Sequence, residues 1–365
     1  MNEQTNDIKN ESLLKASPAG RLEGGVLCFG EVMIRLSLSP GSSWLQEQYL
    51  HANLAGAECN VAIALAKWGM PVNYCTALPA NNPATTSILG FLQDKNVGTG
   101  LVQLNGSRVG VMYVQQGTDS REGGVTYDRK YSSFGELLPG MINWDEVLQG
   151  VSWFHFTAIS PALGENTAAV CLEAIKAARI LGIPISIDLN FRPTLWKYGK
   201  KPVEVIPALA EYCDVIMGNI WSAHTLLGIA LDEALVAANT KETYLQHAEI
   251  TGKAIQERFP TCKAIALTFR FNTLPAGILY YGCLFTNGTL YTSGDFVADS
   301  IKDKIGSGDC FMAALIFALR NGFAPADIIE FAAAAAFGKL QEKGDFTNHS
   351  IENINNIITH HAYKI

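Results

Sequence analysis

Short runs rich in β-branched and aromatic residues alternate with longer segments of helical periodicity along most of this chain, and that rhythm admits few folds. The runs fall at 26–29, 72–77, 151–157, 183–188, 215–218 and 264–268. The helical patterns fall at 60–68, where Gly69 ends the helix, and at 165–181, 243–259, 307–321 and 325–340. Repeated strand, helix, strand connections predict a mostly parallel sheet covered on both faces, because right-handed crossovers place the helices there. Ligands then bind beyond the carboxyl ends of the strands. Two segments break the rhythm, 33–54 and 101–131. Within the second, 109–114 and 125–129 read as antiparallel strands around a turn at 117–124, so the two segments predict a small β lid. A further hairpin, 277–281 with 289–293 around Asn287-Gly288, extends the main sheet. The expected organisation is a polar tail over 1–22 and one α/β domain over 23–365.

The chain has 365 residues, 48% of them hydrophobic and 17% charged, enough apolar material for a large core. A formal charge of −7 lacks the basic footprint of a protein that holds nucleic acid or an anionic membrane, so a small-molecule partner is expected. Cys28, Cys59, Cys75, Cys171, Cys213, Cys262, Cys283 and Cys310 are scattered singly, without metal spacing, and read as reduced thiols. The amino-terminal stretch lacks the apolar run of a secretory signal, and no segment is long and apolar enough to span a bilayer. The expected location is the cytoplasm.

The sharpest local signal is Asp303-Lys304-Ile305-Gly306-Ser307-Gly308-Asp309-Cys310-Phe311, a turn of small residues running into an apolar helix. Gly306 and Gly308 bare the backbone amides, and the positive end of the helix dipole adds to them, which suits a phosphoryl group gaining negative charge. Asp309, in the first turn, can orient an alcohol and take its proton as the bond to phosphorus forms. The same residues also read as a glycine loop with a helix cap. Neither GxxxxGK[ST] nor a GxGxxG after the first strand occurs.

Gly306-Ser307-Gly308-Asp309 resembles the GAGD motif of the ribokinase-like, or PfkB, carbohydrate kinases, with Ser307 where alanine or glycine is usual. Gly56-Ala57-Glu58-Cys59-Asn60-Val61-Ala62 resembles that family's GGxxxNxA segment, with Ala55 in place of a first glycine. The resemblance runs from about residue 26 to 347. It implies a three-layer α/β/α domain, Asp309 as catalytic base, an anion hole at Gly306, Ser307 and Gly308, and sugar contacts from Gly56, Ala57 and Asn60. It further implies ATP as phosphoryl donor with Mg²⁺, and nucleotide contacts from Asn219, Thr268, Arg270, Gly306, Gly308, Gly338 and Asn348, with Gly344 and Asp345 nearby. The family's NxxE motif is incomplete: Asn219-Ile220-Trp221-Ser222 lacks the glutamate, so the metal ligands are left unassigned. His224 reads as a surface or capping residue.

Asp188-Leu189-Asn190-Phe191-Arg192-Pro193-Thr194-Leu195-Trp196 leaves a strand at its carboxyl end, where the crevice is expected. A guanidinium at Arg192 can bind a carboxylate through two parallel hydrogen bonds; it also reads as a loop arginine on solvent or phosphate. The stretch is similar to the DxNxRxxLW segment of 2-keto-3-deoxygluconate kinases, a PfkB branch acting on a sugar acid. That likeness implies substrate contacts from Asn190 and Arg192, and from Tyr113, Tyr127 and Arg129 in the lid. A plain cross-strand tyrosine is the other reading of Tyr113. Two arginines near one substrate favour a carboxylate over a neutral sugar, since each desolvated cation needs a partner. Fructokinase, or another PfkB kinase, is the alternative enzyme, and a catalytically silent sugar or nucleotide sensor the alternative class. A homodimer through the lid is expected, because exposed sheet edges need covering.

Overall fold

The computed structural model describes residues 24–39, 41–116, 123–273 and 276–362. The expected tail and residues 117–122 of the expected lid turn lie outside the described residues. In spatial order the main sheet runs Thr289–Thr292, Gly277–Thr286, Ala264–Thr273, Val215–Gly218, Ile185–Asp188, Val151–Thr157, Gly25–Phe29 and Val72–Cys75, with Phe296–Ala298 also pairing to Gly277–Thr286. The six strands from Ala264–Thr273 to Val72–Cys75 are mutually parallel, and the hairpin side is antiparallel.

Alternation along each strand feeds two separate cores. Val26 and Cys28 pack into one with the helices Ala57–Lys67, Ser307–Arg320 and Pro325–Leu340; Leu27 and Phe29 pack into the other with Glu165–Ile180, Pro202–Ala210, Ile220–Leu227 and Lys241–Arg258. A three-layer α/β/α arrangement results. Apolar side chains on both faces explain why these strands read as near-continuous hydrophobic runs.

Two boundaries differ from the sequence reading. The strand expected at 264–268 continues to Thr273 and pairs along its length with Gly277–Thr286. Asn287 and Gly288, both at positive φ (50° and 74°), turn the chain into Thr289–Thr292 as expected, and Phe296–Ala298 adds a further antiparallel strand against Gly277–Thr286. The first helix starts at Ala57 instead of 60, because Gly56 at φ 155° caps it. A Cβ at Gly56 would lie 2.6 Å from the Glu31 carbonyl oxygen.

The four remaining long-paired strands form the lid, in the order His51–Ala55, Met33–Ser37, Gly110–Gln116, Gly123–Asp128. Met33–Ser37 runs parallel to Gly110–Gln116, and the other two pairings are antiparallel. Two buried ion pairs hold this sheet down: Glu31 with Arg129, and Arg35 with Asp345 at 3.1 Å. Among the described residues, no helix is long and apolar enough to cross a membrane.

Candidate active site

A cavity of about 740 Å³ opens at the carboxyl ends of the parallel strands, roofed by the lid and floored by the turn that starts the helix Ser307–Arg320. Asp188, Met217 and Gly218 reach it from strand ends and Thr268 from just past the last parallel pairing of its strand; Met33, Ala55, Met112 and Tyr127 face it from the lid. This is the crevice position that a parallel sheet with right-handed crossovers provides.

Gly306 takes a left-handed conformation (φ 76°) and caps the helix. The Asp345 carbonyl oxygen would lie 1.7 Å from a Cβ there, so only glycine fits. At Gly308 an added Cβ meets nothing within 4 Å, leaving open space beside the helix amides. The Ser307 hydroxyl donates to the Ala336 carbonyl (3.1 Å) and the Cys310 thiol to that of Ala335 (3.3 Å), which pins the turn to the helix Pro325–Leu340. A bare, fixed amide end of this kind can receive a phosphoryl group without reorganising.

Asp309 is 8% exposed and lines the cavity. Burial pushes its carboxyl up to about 6; a hydrogen bond from Asn60 and the charges of Arg192 and Lys339 pull it down, while Glu58 pushes it up. It is therefore largely ionised at neutral pH yet close to the range in which a carboxylate takes up a proton.

Asp188 belongs to the site although the sequence reading gave it no role. Its carboxylate accepts from the Asn190 amide (3.0 Å), and burial together with the charge of Asp309 pushes it up to about 7. Its place at the last position of a buried parallel strand was the available signal. Glu31 and Glu58 also line the cavity and were likewise missed as site residues; Asp345, expected near the nucleotide, lines it too. Glu58 accepts from the Thr157 amide (3.1 Å), the Thr157 hydroxyl (2.7 Å) and the Ser160 hydroxyl (3.3 Å), fixing the first helix to a strand end.

Of the residues singled out from sequence, Gly56, Ala57, Asn60, Tyr127, Arg129, Asn190, Arg192, Asn219, Thr268, Arg270 and all four from Gly306 to Asp309 line this one cavity. Tyr113 does not. It pairs with Thr126 across the lid, so both point away from the face that carries Met112 and Tyr127, and Tyr113 lines a separate outer pocket with Trp44. Gly338 and Asn348 are also absent from the lining. A Cβ at Gly338 would lie 2.8 Å from Ile357 and 3.0 Å from His349, so this glycine serves a close helix contact; Asn348 is exposed, its amide bonded to Glu342.

Arg129 requires a further correction. Its Nε donates to Glu31 Oε2 at 2.7 Å and Nη2 reaches the same oxygen, so its charge is matched within the protein. The argument from two cations in want of an anion therefore reduces to Arg192. The Arg192 Nη1 donates to the Phe191 carbonyl (3.0 Å), and among the described residues Arg192 has no ion pair.

Asn219 caps the helix Ile220–Leu227. Its Oδ1 accepts from the Ser222 amide (2.8 Å) while its own amide donates to the Ser222 hydroxyl (2.9 Å). Serine where a glutamate was looked for thus completes a capping box. His224 is exposed and bonds the Ile229 carbonyl. Among the described residues, no group of three or more His, Cys, Asp or Glu could hold a metal ion.

Comparison with known proteins agrees with this geometry. The model of the pfkB family carbohydrate kinases matches residues 24–254. A 2-dehydro-3-deoxygalactonokinase of Haloferax volcanii is 28% identical over 88% of this chain and 92% of its own length; a 2-dehydro-3-deoxygluconokinase of Bacillus subtilis is 24% identical over 87% and 90%. The crystal structure of a 2-dehydro-3-deoxygluconokinase from Thermotoga maritima superposes with a TM-score of 0.83 at 31% identity, covering 92% of this chain and 99% of that one. Sequence, fold and the arrangement around Asp309 converge, and the chain belongs to the pfkB family of carbohydrate kinases.

Proposed function

We propose that this kinase transfers the γ-phosphoryl group of ATP to the terminal, C6, hydroxyl of 2-keto-3-deoxygluconate (2-dehydro-3-deoxygluconate), giving the 6-phosphate and ADP. The single observation that carries the choice of a sugar acid is Arg192: a guanidinium lining the cavity, without an ion pair among the described residues, at the strand end beside Asn190. An unpaired guanidinium lining the cavity can bind a ligand carboxylate through two parallel hydrogen bonds, which a neutral hexose does not offer. The names of the relatives support the same substrate class.

In this reading Asp309 orients the C6 hydroxyl and accepts its proton as oxygen attacks phosphorus, and the bond from phosphorus to the ADP oxygen breaks. The amides of the 306–309 turn receive the growing negative charge. Tyr127 and the apolar face of the lid shut water away from the sugar. Thr268, Arg270 and Asn219 line the same cavity, and in this reading they contact the nucleotide. The residues fit a magnesium ion that arrives with ATP and is held mainly by phosphate oxygens and water, and it supplies charge neutralisation there. All eight cysteines are unpaired and buried, which supports a reducing, cytoplasmic setting. Leu45, Tyr49 and Leu50 are exposed beside the lid, which supports a homodimer through this sheet, testable by sedimentation.

The test is an ADP-release assay with 2-keto-3-deoxygluconate, its galactonate epimer, fructose and ribose, with Asp309→Asn as control. Preference for either sugar acid, abolished in a folded Asp309→Asn variant, is expected. Preference for a neutral sugar would overturn the carboxylate argument, and an active Asp309→Asn enzyme would overturn the assignment of the base.

A further inference from the structure

The helix Pro325–Leu340 carries near its end a lysine with no exposure to solvent. Burying an ammonium group is costly unless something nearby needs the charge. Lys339 Nζ donates to the Glu342 carbonyl at 3.3 Å, and its Cε would stand 3.4 Å from a Cβ placed on Gly306. The lysine thus lies directly behind the turn whose amides face the cavity, on the protein side.

The loop that follows is wrapped around the same point. The Asp345 carbonyl abuts Gly306, and the Asp345 carboxylate meets Arg35 of the lid strand Met33–Ser37. Asp303, at the start of the turn, accepts from the Ile305 amide (3.0 Å) and the Gly344 amide (3.1 Å), tying turn and loop together. We propose that Lys339 is a positioning residue for phosphoryl transfer: its buried ammonium anchors the loop 341–347 against the 306–309 turn and provides a fixed positive charge behind the anion hole. A water molecule or an apolar side chain there would leave the amide dipoles of the turn without that support. The Arg35 and Asp345 pair extends the same network to the lid, so that the roof over the sugar and the floor under the phosphate share one set of charges.

The charged and titratable groups that act on this cluster are Asp303, Glu342, Asp345 and Cys310 around Lys339, with Asp309 beyond the turn and Arg35 from the lid. Burial pulls Lys339 down, and the acidic groups hold it up. Its charge in turn holds Asp309 down, which gives the proposal a readout that a purely structural lysine would not produce.

The inference rests on Asp309 as the base, so the Asp309→Asn control is run alongside; only if that variant is dead do the following outcomes bear on Lys339. Lys339→Met, of similar length and uncharged, is expected to lower kcat at least about tenfold with little change in KM for the sugar. The acid limb of its kcat profile is expected to move to higher pH. Lys339→Arg keeps the charge and is expected to keep the acid limb where the wild type has it. If circular dichroism shows that the methionine variant does not fold, Lys339→Gln is measured in its place, since its side chain still offers a donor to the Glu342 carbonyl. A folded, uncharged variant with wild-type kcat and an unmoved acid limb overturns the proposal.

Discussion

The Asn60 side-chain amide donates a 2.7 Å hydrogen bond to Oδ2 of Asp309, joining the first turns of two helices that lie 249 residues apart in sequence. One carboxylate oxygen is thereby occupied and the group is fixed in rotation, which leaves Oδ1 for a substrate hydroxyl. The bond also favours the ionised form and opposes the upward push of burial.

Asn60→Ala should therefore act on both position and protonation. Loss of the bond is expected to lower kcat by roughly ten- to a hundredfold, on the scale of one positioned polar group. The acid limb of the rate profile, expected near pH 6 because the base must be ionised and Asp309 sits at about 6, should move to higher pH. Initial rates between pH 5 and 8 test both; a variant with reduced rate and an unmoved limb would mean that the bond matters for geometry alone.

The two glycines of the turn predict opposite failures. Gly306→Ala forces a Cβ at φ 76° into the Asp345 carbonyl and should cost stability, by about 1 kcal/mol for the backbone conformation plus the contact. Gly308→Ala meets no protein atom, so the fold should persist while the methyl group intrudes on the phosphoryl position and kcat falls. Urea denaturation alongside steady-state kinetics separates the two, and a Gly308→Ala enzyme of full activity would remove the phosphate from that spot.

Arg129 and Arg192 separate in the same way. Removing Arg129 leaves Glu31 buried and unmatched, a loss of about 3–5 kcal/mol for a broken buried pair, so Arg129→Met should loosen the lid and raise KM for acid and neutral sugars alike. Arg192→Leu should raise KM for the sugar acid selectively and leave any residual turnover of fructose unchanged. Equal losses for both sugars in Arg192→Leu would place the carboxylate elsewhere.

Much of this architecture is legible in sequence because strands buried on both faces write themselves as apolar runs, and because the chemistry of Gly306, Gly308 and Asp309 is local. What sequence hid was pairing at a distance. Nothing near Arg129 announces Glu31, 98 residues earlier, and nothing near Arg35 announces Asp345. The face on which Tyr113 lies depends on the register set across the lid, which a stretch of alternating residues leaves open. Gly338 was expected at the nucleotide through the family resemblance alone, but what approaches it is the side chains of Ile357 and His349.

His155 offers a test of the core itself. It is fully buried, its Nδ1 paired with the Ser186 hydroxyl at 3.0 Å, a hydroxyl that also accepts from Trp153 Nε1 at 2.9 Å. Burial pulls its pKa down to about 3. The unfolded chain takes up a proton at this residue as pH falls below about 6.5, whereas the folded chain does so only near 3, so the contribution of a neutral His155 is intact above 6.5 and is lost progressively between those values. At full slope the loss is about 1.4 kcal/mol per pH unit. His155→Gln removes the titration, so its urea midpoint should fall less steeply than that of the wild type between pH 6.5 and 5, even though the variant starts from lower stability at pH 7. Parallel pH dependences for the two proteins would mean that the folded state protonates His155 as readily as the unfolded chain does, and that this part of the core is open to water.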